Sequence, residues 1–406
     1  LSVAWSLYRA AGVVVGGLAP AVRPFLPQAE RGLWPERLGL GVVSRADAWI
    51  HAASLGEASA AGPLLRALRE RDPSASFHLT ATTHGGRERL AGLGAPFSLA
   101  PIDTPQAAER FLGELGPRLA LVVETELWPH WLLAARTRRI PVVIVSARLS
   151  PRSVERYRHL GAEFRGLIAG LAGVLAQSES DASRWLALGS EPATTAVVGS
   201  LKFDGLPRPA TDRAQARGSL GLDPERSLLT LGSLRPGEAR RLARAWKIVA
   251  REAASPWQVV AVPRHPPAAA ELRAEAAEAG AEWRWDDRLG VLGGYYAASD
   301  LAFVGGSLEP YGGHNPLEPA ATGCAVLMGR HHETQLPAVE QLIARGAIRI
   351  VEDDADLEAA LRRLLGDAGE RSRLANAALD TAAGLRGATE RTVRWLEGRR
   401  LWPVSR

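Results

Sequence analysis

Between residues 45 and 200 the chain alternates short apolar runs with longer amphipathic ones. The runs "AWIHAAS", "SFHLTATT", "LALVVETE", "VVIVSA", "GVLAQS" and "TAVVGS" are continuous rather than alternating, and "AAGPLLRALRERD" and "HWLLAARTRR" carry helical spacing between them. Strands of this kind, joined by crossover helices, predict a parallel sheet covered on both faces. Near "DGLPRPATDRAQARGSLGLDP" the pattern lapses into Pro, Gly and charge, the composition of a domain boundary. It restarts with "SLLTLGS", "WQVVAVPRH", "LAFVGGS", "CAVLMG" and "AIRIV". The expected fold class is therefore α/β, two doubly wound parallel-sheet domains facing a cleft, over residues 28–204 and 225–385 with a linker at 205–224.

Both ends depart from this pattern. Residues 1–27, "LSVAWSLYRAAGVVVGGLAPAVRPFLP", hold a charge-free run from Ala10 to Val22. That is shorter than the roughly 20 apolar residues of a spanning helix, and Gly16, Gly17 and Pro20 interrupt it. Such a segment is expected to lie on a membrane surface with aromatics and arginines at the interface; a helix packed on its own domain is the competing expectation. Residues 386–406 are expected to form a basic C-terminal helix, with six arginines against two glutamates interleaved with Trp395 and Trp402.

Composition narrows the class. At 406 residues, two domains of roughly 200 each are the default. With 46% hydrophobic and 23% charged residues the chain suits a folded α/β protein rather than a disordered one. A single cysteine, Cys324, excludes a disulfide framework or a cysteine-based metal site and fits a reducing compartment. The net charge of +5 comes without aromatic-interleaved basic patches in the domain bodies, so no nucleic-acid partner is expected. G-x-x-x-x-G-K-[ST], H-E-x-x-H and G-x-S-x-G are all missing, which removes P-loop, zinc-protease and serine-hydrolase chemistry.

In open α/β sheets ligands collect beyond the carboxyl ends of the strands. The loops there carry Ser54-Leu55-Gly56-Glu57, then Glu124 and Glu126 of "ETELWP", then Arg148 and Arg152. Ser54-x-x-Glu57 is also a capping box, so Glu57 reads equally as a cap or as a catalytic group. Glu126, shortly before Pro129 at an expected first helical position, carries the same ambiguity. In the second half a strand runs into Gly305-Gly306-Ser307, and Gly312-Gly313-His314-Asn315 follows; glycines there predict a phosphate cradle of backbone N–H groups. Asn315-x-x-Glu318 reads as another capping box with Pro316 at the first helical position, and Glu318 suits ribose hydroxyls. Arg264 and His265 of "VPRHP" suit a phosphate or a surface salt bridge.

Together, "HAASLGE", "ETELWP", "SARLSPRS", "VGSLKFD", "VPRHP" and "FVGGSL" followed by "GGHNPLEPAA" occur in family order between about residues 45 and 365. They resemble the lipid A Kdo transferases, bacterial enzymes that attach 3-deoxy-D-manno-octulosonic acid (Kdo) to a lipid A precursor. The resemblance implies a glycosyltransferase B fold, CMP-Kdo as donor, a lipid A precursor as acceptor, and neither cofactor nor metal. It also implies the cytoplasmic face of the inner membrane, with the protein peripheral or anchored by its N-terminus.

In residue terms it implies Glu57 as the general base of an inverting transfer and an essential second carboxylate within Glu124-Thr125-Glu126, Glu126 being the expected one. Arg264, His265, Ser233, Arg235, Gly305, Gly306, Ser307, Asn315 and Glu318 fall on the nucleotide side, with Arg264 and the N–H groups near Ser307 expected at the departing phosphate. Ser54, Gly56, Arg148, Arg152 and Lys202 fall on the substrate side, the last three at either the Kdo carboxylate or the lipid phosphates. Two positions depart from the family pattern. Arg235 stands where Ser/Thr-x-His-x-Gly-Glu has histidine, and Val291 stands where Gly-Glu-Leu commonly precedes the Gly-Gly strand. Two further readings stay open: the same fold with another nucleotide-sugar donor, and a catalytically silent paralogue that binds membrane or partners through its basic ends.

Overall fold

The computed structural model describes residues 3–42, 44–252 and 256–403, so residues 1 and 2 of the expected membrane segment and 404–406 of the expected basic helix lie outside the described residues. The chain forms two compact units, Leu1–Gly205 with Leu385–Arg406, and Leu206–Gly384.

The first unit is built on seven parallel strands: β1 (Ala48–His51), β2 (Phe77–Ala81), β3 (Phe97–Leu99), β4 (Leu119–Val123), β5 (Val142–Ala147), β6 (Gly173–Ala176) and β7 (Thr195–Val197), in the order β3-β2-β1-β4-β5-β6-β7. Strands β1, β2, β4, β5 and β6 are buried at every position, which is why their sequences show runs rather than alternation. The second unit holds six parallel strands: β8 (Ser227–Leu234), β9 (Trp257–Pro263), β10 (Arg284–Trp285), β11 (Leu301–Val304), β12 (Ala325–Gly329) and β13 (Arg349–Val351), in the order β10-β9-β8-β11-β12-β13. Every apolar run named above forms a strand. The short β3 and β10 were not anticipated, because two or three residues carry too little pattern to register.

In each sheet the order reverses once, between β1 and β4 and between β8 and β11. A reversal leaves the crossover connections running to opposite sides and opens a crevice at the carboxyl ends of the two strands. Two non-glycine residues with left-handed backbone sit at reversal strands, Glu124 (φ 63°) after β4 and Ser233 (φ 56°) in β8. Each costs on the order of 1–3 kcal/mol and persists only where the surroundings impose it.

Three segments are placed by contacts that lie outside the local pattern. The stretch 205–224 is not simply a linker. It contains the helix Arg213–Ser219, capped by Asp212, and the buried Arg217 binds the Asp300 carboxylate at 2.7 Å and the Ala298 and Pro224 carbonyls. A composition of Pro, Gly and charge cannot reveal that its arginine is buried against Asp300.

The C-terminal helix Ala388–Gly398 packs onto the first unit beside the helix Leu55–Arg71. Trp402, 1% exposed, packs on Phe77 and donates its indole N–H to the Leu68 carbonyl at 3.3 Å.

The N-terminal helix Val3–Val22 is two-faced. Trp5, Gly12, Gly16 and Ala19 are buried, and Tyr8 stacks on the His130 ring at 5.1 Å and donates to Asp103. Gly12 is required there, since a Cβ would stand 2.3 Å from that imidazole. On the opposite face Val3, Leu7, Val14 and Leu18 are exposed, and among the described residues no helix is long and apolar enough to cross a membrane. Asp103 follows β3 and His130 follows β4, so the helix lies along the carboxyl-end rim of its sheet.

Candidate active site

At the first reversal, β1 delivers Glu57 and β4 delivers Glu124 and Glu126. Glu57 enters the first turn of the helix Leu55–Arg71, whose N-cap is Ser54. The Ser54 hydroxyl donates to Glu57 at 2.9 Å and accepts the Glu57 N–H at 3.4 Å, while the Ala53 N–H donates to the other carboxylate oxygen at 2.8 Å. The capping geometry is thus real, and it fixes the carboxylate instead of hiding it. Burial, then the charge of Glu124, hold the Glu57 carboxyl above the ordinary glutamate range, against the pull of the Ser54 and Ala53 donors. Gly56 is exposed, with nothing within 4 Å of where a Cβ would stand.

Glu126 is tuned the other way. Burial opposes its charge, but His51 at 3.6 Å and the Trp128 indole N–H at 2.7 Å outweigh it and hold the carboxyl below the ordinary range. Glu124 is ion-paired with Lys202, which arrives from the loop after β7. Arg148 and Arg152, after β5, are exposed.

In the second unit a cavity of about 420 Å³ is lined by Ser233, Arg264, Tyr296, His314, Asn315 and Glu318, with Gly290 and Leu292 at its wall. Arg264 and His265 are exposed after β9. Glu318 is raised by burial, against the pull of Asn315 and Arg264. His314 is pushed down to about 4 by burial and by the neighbouring Arg264, Arg235 and His265, so the ring is neutral in a cationic surround. Arg235 lies over the Tyr311 ring at 4.3 Å, a cation–π contact open to arginine at this position.

The phosphate cradle expected from Gly305, Gly306 and Ser307 is corrected by the structure. Gly305 donates its N–H to the Gly232 carbonyl at 2.8 Å. The N–H groups of Gly306, Ser307 and Leu308 all donate to the buried Glu238 carboxylate, at 2.7, 2.9 and 3.0 Å, and Arg235 N–H adds a fourth at 2.9 Å. The Ser307 hydroxyl is equally committed, to the Val304 carbonyl at 2.6 Å and the Gly329 N–H at 2.9 Å. Glycine at 305 answers to packing, since a Cβ would stand 2.5 Å from the Ser233 carbonyl oxygen. A buried carboxyl group of the protein itself therefore occupies the donors that the pattern assigned to a ligand.

The expected capping box at Asn315 is also replaced. Asn315 Oδ1 accepts the Leu317 N–H at 3.0 Å, its Nδ2 lies 3.4 Å from Glu318, and the helix is Leu317–Ala321, starting one residue beyond Pro316. Sequence reasoning missed His51, Thr80, Trp128, Glu238 and Tyr296. For Glu238 the signal was present in Ser-Leu-Arg-Pro-Gly-Glu; for His51 nothing separates it from a core histidine on a buried strand.

Two parallel α/β sheets of this order, each with polar residues at its reversal, define the glycosyltransferase B class. A solved UDP-GlcNAc 2-epimerase from Neisseria meningitidis, bound to UDP-GlcNAc, matches with a TM-score of 0.62 at 16% identity, over 86% of this chain and 99% of that one. A glycosyltransferase from Rickettsia africae ESF-5 matches with a TM-score of 0.58 at 12% identity, over 88% and 99%. These likenesses concern the fold alone.

A family model described as 3-deoxy-D-manno-octulosonic-acid transferase (kdotransferase) matches residues 32–205. The 3-deoxy-D-manno-octulosonic acid transferase of Bordetella pertussis is 37% identical over 383 residues, covering 87% of each chain. The chain belongs to the Kdo transferase family and is a glycosyltransferase.

Proposed function

We propose that the protein transfers Kdo from CMP-Kdo to a lipid A precursor, with Glu57 as general base and inversion at the anomeric carbon. The observation that carries this reading is the Glu57 carboxylate, fixed by the Ala53 N–H and the Ser54 hydroxyl and raised above the ordinary range by burial. A carboxylate so raised is a stronger base than a solvated one, which is what removing a sugar hydroxyl proton requires.

In the step, the acceptor oxygen bonds to the anomeric carbon and its proton passes to Glu57. The anomeric C–O bond to phosphate breaks, its electron pair leaving with CMP. Arg264 supports the charge developing on that phosphate and Glu318 suits the ribose, both from the cavity in the second unit. The committed amides of Gly306 and Ser307 take no part. Arg148 and Arg152 are available to the Kdo carboxylate or the lipid phosphates, whereas Lys202 acts through Glu124.

The exposed apolar face of Val3–Val22, on the rim that carries the three carboxylates, supports a peripheral position on the cytoplasmic face of the inner membrane, where a lipid acceptor is presented. A different nucleotide-sugar donor is the second reading, favoured by Val291, whose neighbours Gly290 and Leu292 line the cavity. The deciding experiment is single-turnover transfer to a tetraacylated lipid A precursor in detergent, with CMP-Kdo generated in situ and products weighed by mass spectrometry. Added Kdo mass is expected; a folded protein that leaves the precursor unmodified but turns over another nucleotide sugar overturns the reading.

A further inference from the structure

His51 ends β1 and is wholly buried. Its Nδ1 lies 2.9 Å from the hydroxyl of Thr80, its register partner on β2, and the same hydroxyl oxygen accepts the Trp49 indole N–H at 2.8 Å. An indole N–H only donates, so it takes one Thr80 lone pair, and among the described residues the buried Thr80 hydroxyl meets no acceptor for its own proton other than His51 Nδ1. The Nδ1 atom then accepts, and the ring proton sits on Nε2.

The other side of the ring agrees with this assignment. His51 Nε2 faces Glu126 Oε2 at 3.6 Å, where a bare lone pair would meet a half-buried carboxylate. Trp131 packs edge-on against the imidazole at 5.0 Å and Trp49 lies against it at 6.1 Å, which holds the ring in this orientation. Glu126 Oε2 also receives the Trp128 indole N–H, so one carboxylate oxygen is addressed from two directions.

We propose that His51 is a positioning residue for the transfer: the Trp49–Thr80 relay keeps its proton on Nε2, and that N–H, with Trp128, fixes the rotation of the Glu126 carboxylate. The separation of 3.6 Å is longer than a hydrogen bond, and such contacts commonly tighten when substrate binds. The proposal rests on Glu126 acting in sugar transfer.

The first test uses the full-length wild-type protein with ¹⁵N-labelled histidine and long-range ¹H–¹⁵N NMR. Proton density on His51 Nε2 is expected; the Nδ1–H tautomer overturns the proposal whatever the activity. The second is kinetic. His51→Phe fills the site without a donor and is expected to lower kcat about 10- to 100-fold, by analogy with loss of an outer partner that orients a metal ligand. His51→Gln, which keeps an N–H at similar reach, is expected to recover most of that loss.

On a Glu126→Gln background, His51→Phe is expected to cost nothing further, because its effect passes through Glu126. An undiminished cost there, or equal losses in the Phe and Gln variants, overturns the positioning role. Wild-type turnover by Glu126→Gln itself would instead remove the reading on which the proposal rests, and the NMR result would stand apart from it.

Discussion

Lys202 is ion-paired with Glu124, and Glu124 makes that pair from left-handed backbone at φ 63°. The strained turn carries the carboxylate to where its charge acts on Glu57, and the lysine partly offsets that charge.

A matched pair of variants therefore moves the acid limb of the pH–rate profile in opposite directions. Glu57 works only when deprotonated, so kcat/KM falls as pH drops through its pKa. Glu124→Gln removes a like charge and is expected to shift that limb to lower pH; Lys202→Met leaves Glu124 uncompensated and is expected to shift it to higher pH. Profiles that do not move in either variant would separate Glu57 from the acid limb.

Replacing Glu57 by glutamine is expected to lower kcat about 10²- to 10⁴-fold with little change in thermal midpoint. Because the fold raises this pKa, the stability the group contributes is present below the ordinary glutamate value and is lost as pH rises through the elevated one. At neutral pH the charge is a net cost that glutamine removes, and the amide can still accept the Ala53 N–H and donate to Ser54. Calorimetry at pH 7 alongside single-turnover assays checks both halves; a variant that unfolds would return Glu57 to a purely structural role.

Arg264 and Ser307 are expected to separate ligand binding from folding. Arg264→Ala should weaken CMP binding about 10- to 100-fold, the value of a lost charged contact, with the melting temperature unchanged. Ser307→Ala should leave CMP affinity intact and cost about 1–3 kcal/mol in urea unfolding, since its hydroxyl serves only Val304 and Gly329. Titration calorimetry showing the reverse pattern would restore the glycine-turn phosphate site.

For the N-terminal helix, point changes on the exposed face test membrane affinity better than truncation, because Tyr8 and Gly12 are packed into the first unit. Val14→Glu and Leu18→Glu are expected to lower co-sedimentation with anionic liposomes at an unchanged melting temperature. Sedimentation equal to wild type would leave the helix with its packing role alone.

The C-terminal segment is expected to be held by its tryptophan and not by its charges. Trp402→Ala should cost about 3–5 kcal/mol, the range for emptying a large buried site. Arg71→Ala, which removes exposed pairs to Glu390 and Glu397, should cost under about 1 kcal/mol. Urea midpoints for the two variants decide the order.

What the sequence determined by itself was everything local pattern can carry. Unbroken apolar runs specify doubly covered parallel strands, Ser54 and Glu57 specify a cap, and residues after strands specify the rim. Only the tertiary structure decided which groups those residues meet. The amides of Gly306, Ser307 and Leu308 turned inward because the carboxyl group of Glu238, distant in sequence, enters their turn and accepts all three N–H groups. Lys202 reached Glu124 because the segment after β7 returns to the rim, and Arg217 left its supposed linker for Asp300. His51 came to stand between Thr80 on a neighbouring strand and Glu126. The physical reason is common to all four: a hydrogen bond or ion pair depends on where two groups end up in space, and residue spacing along the chain records that only within a helix turn or a strand.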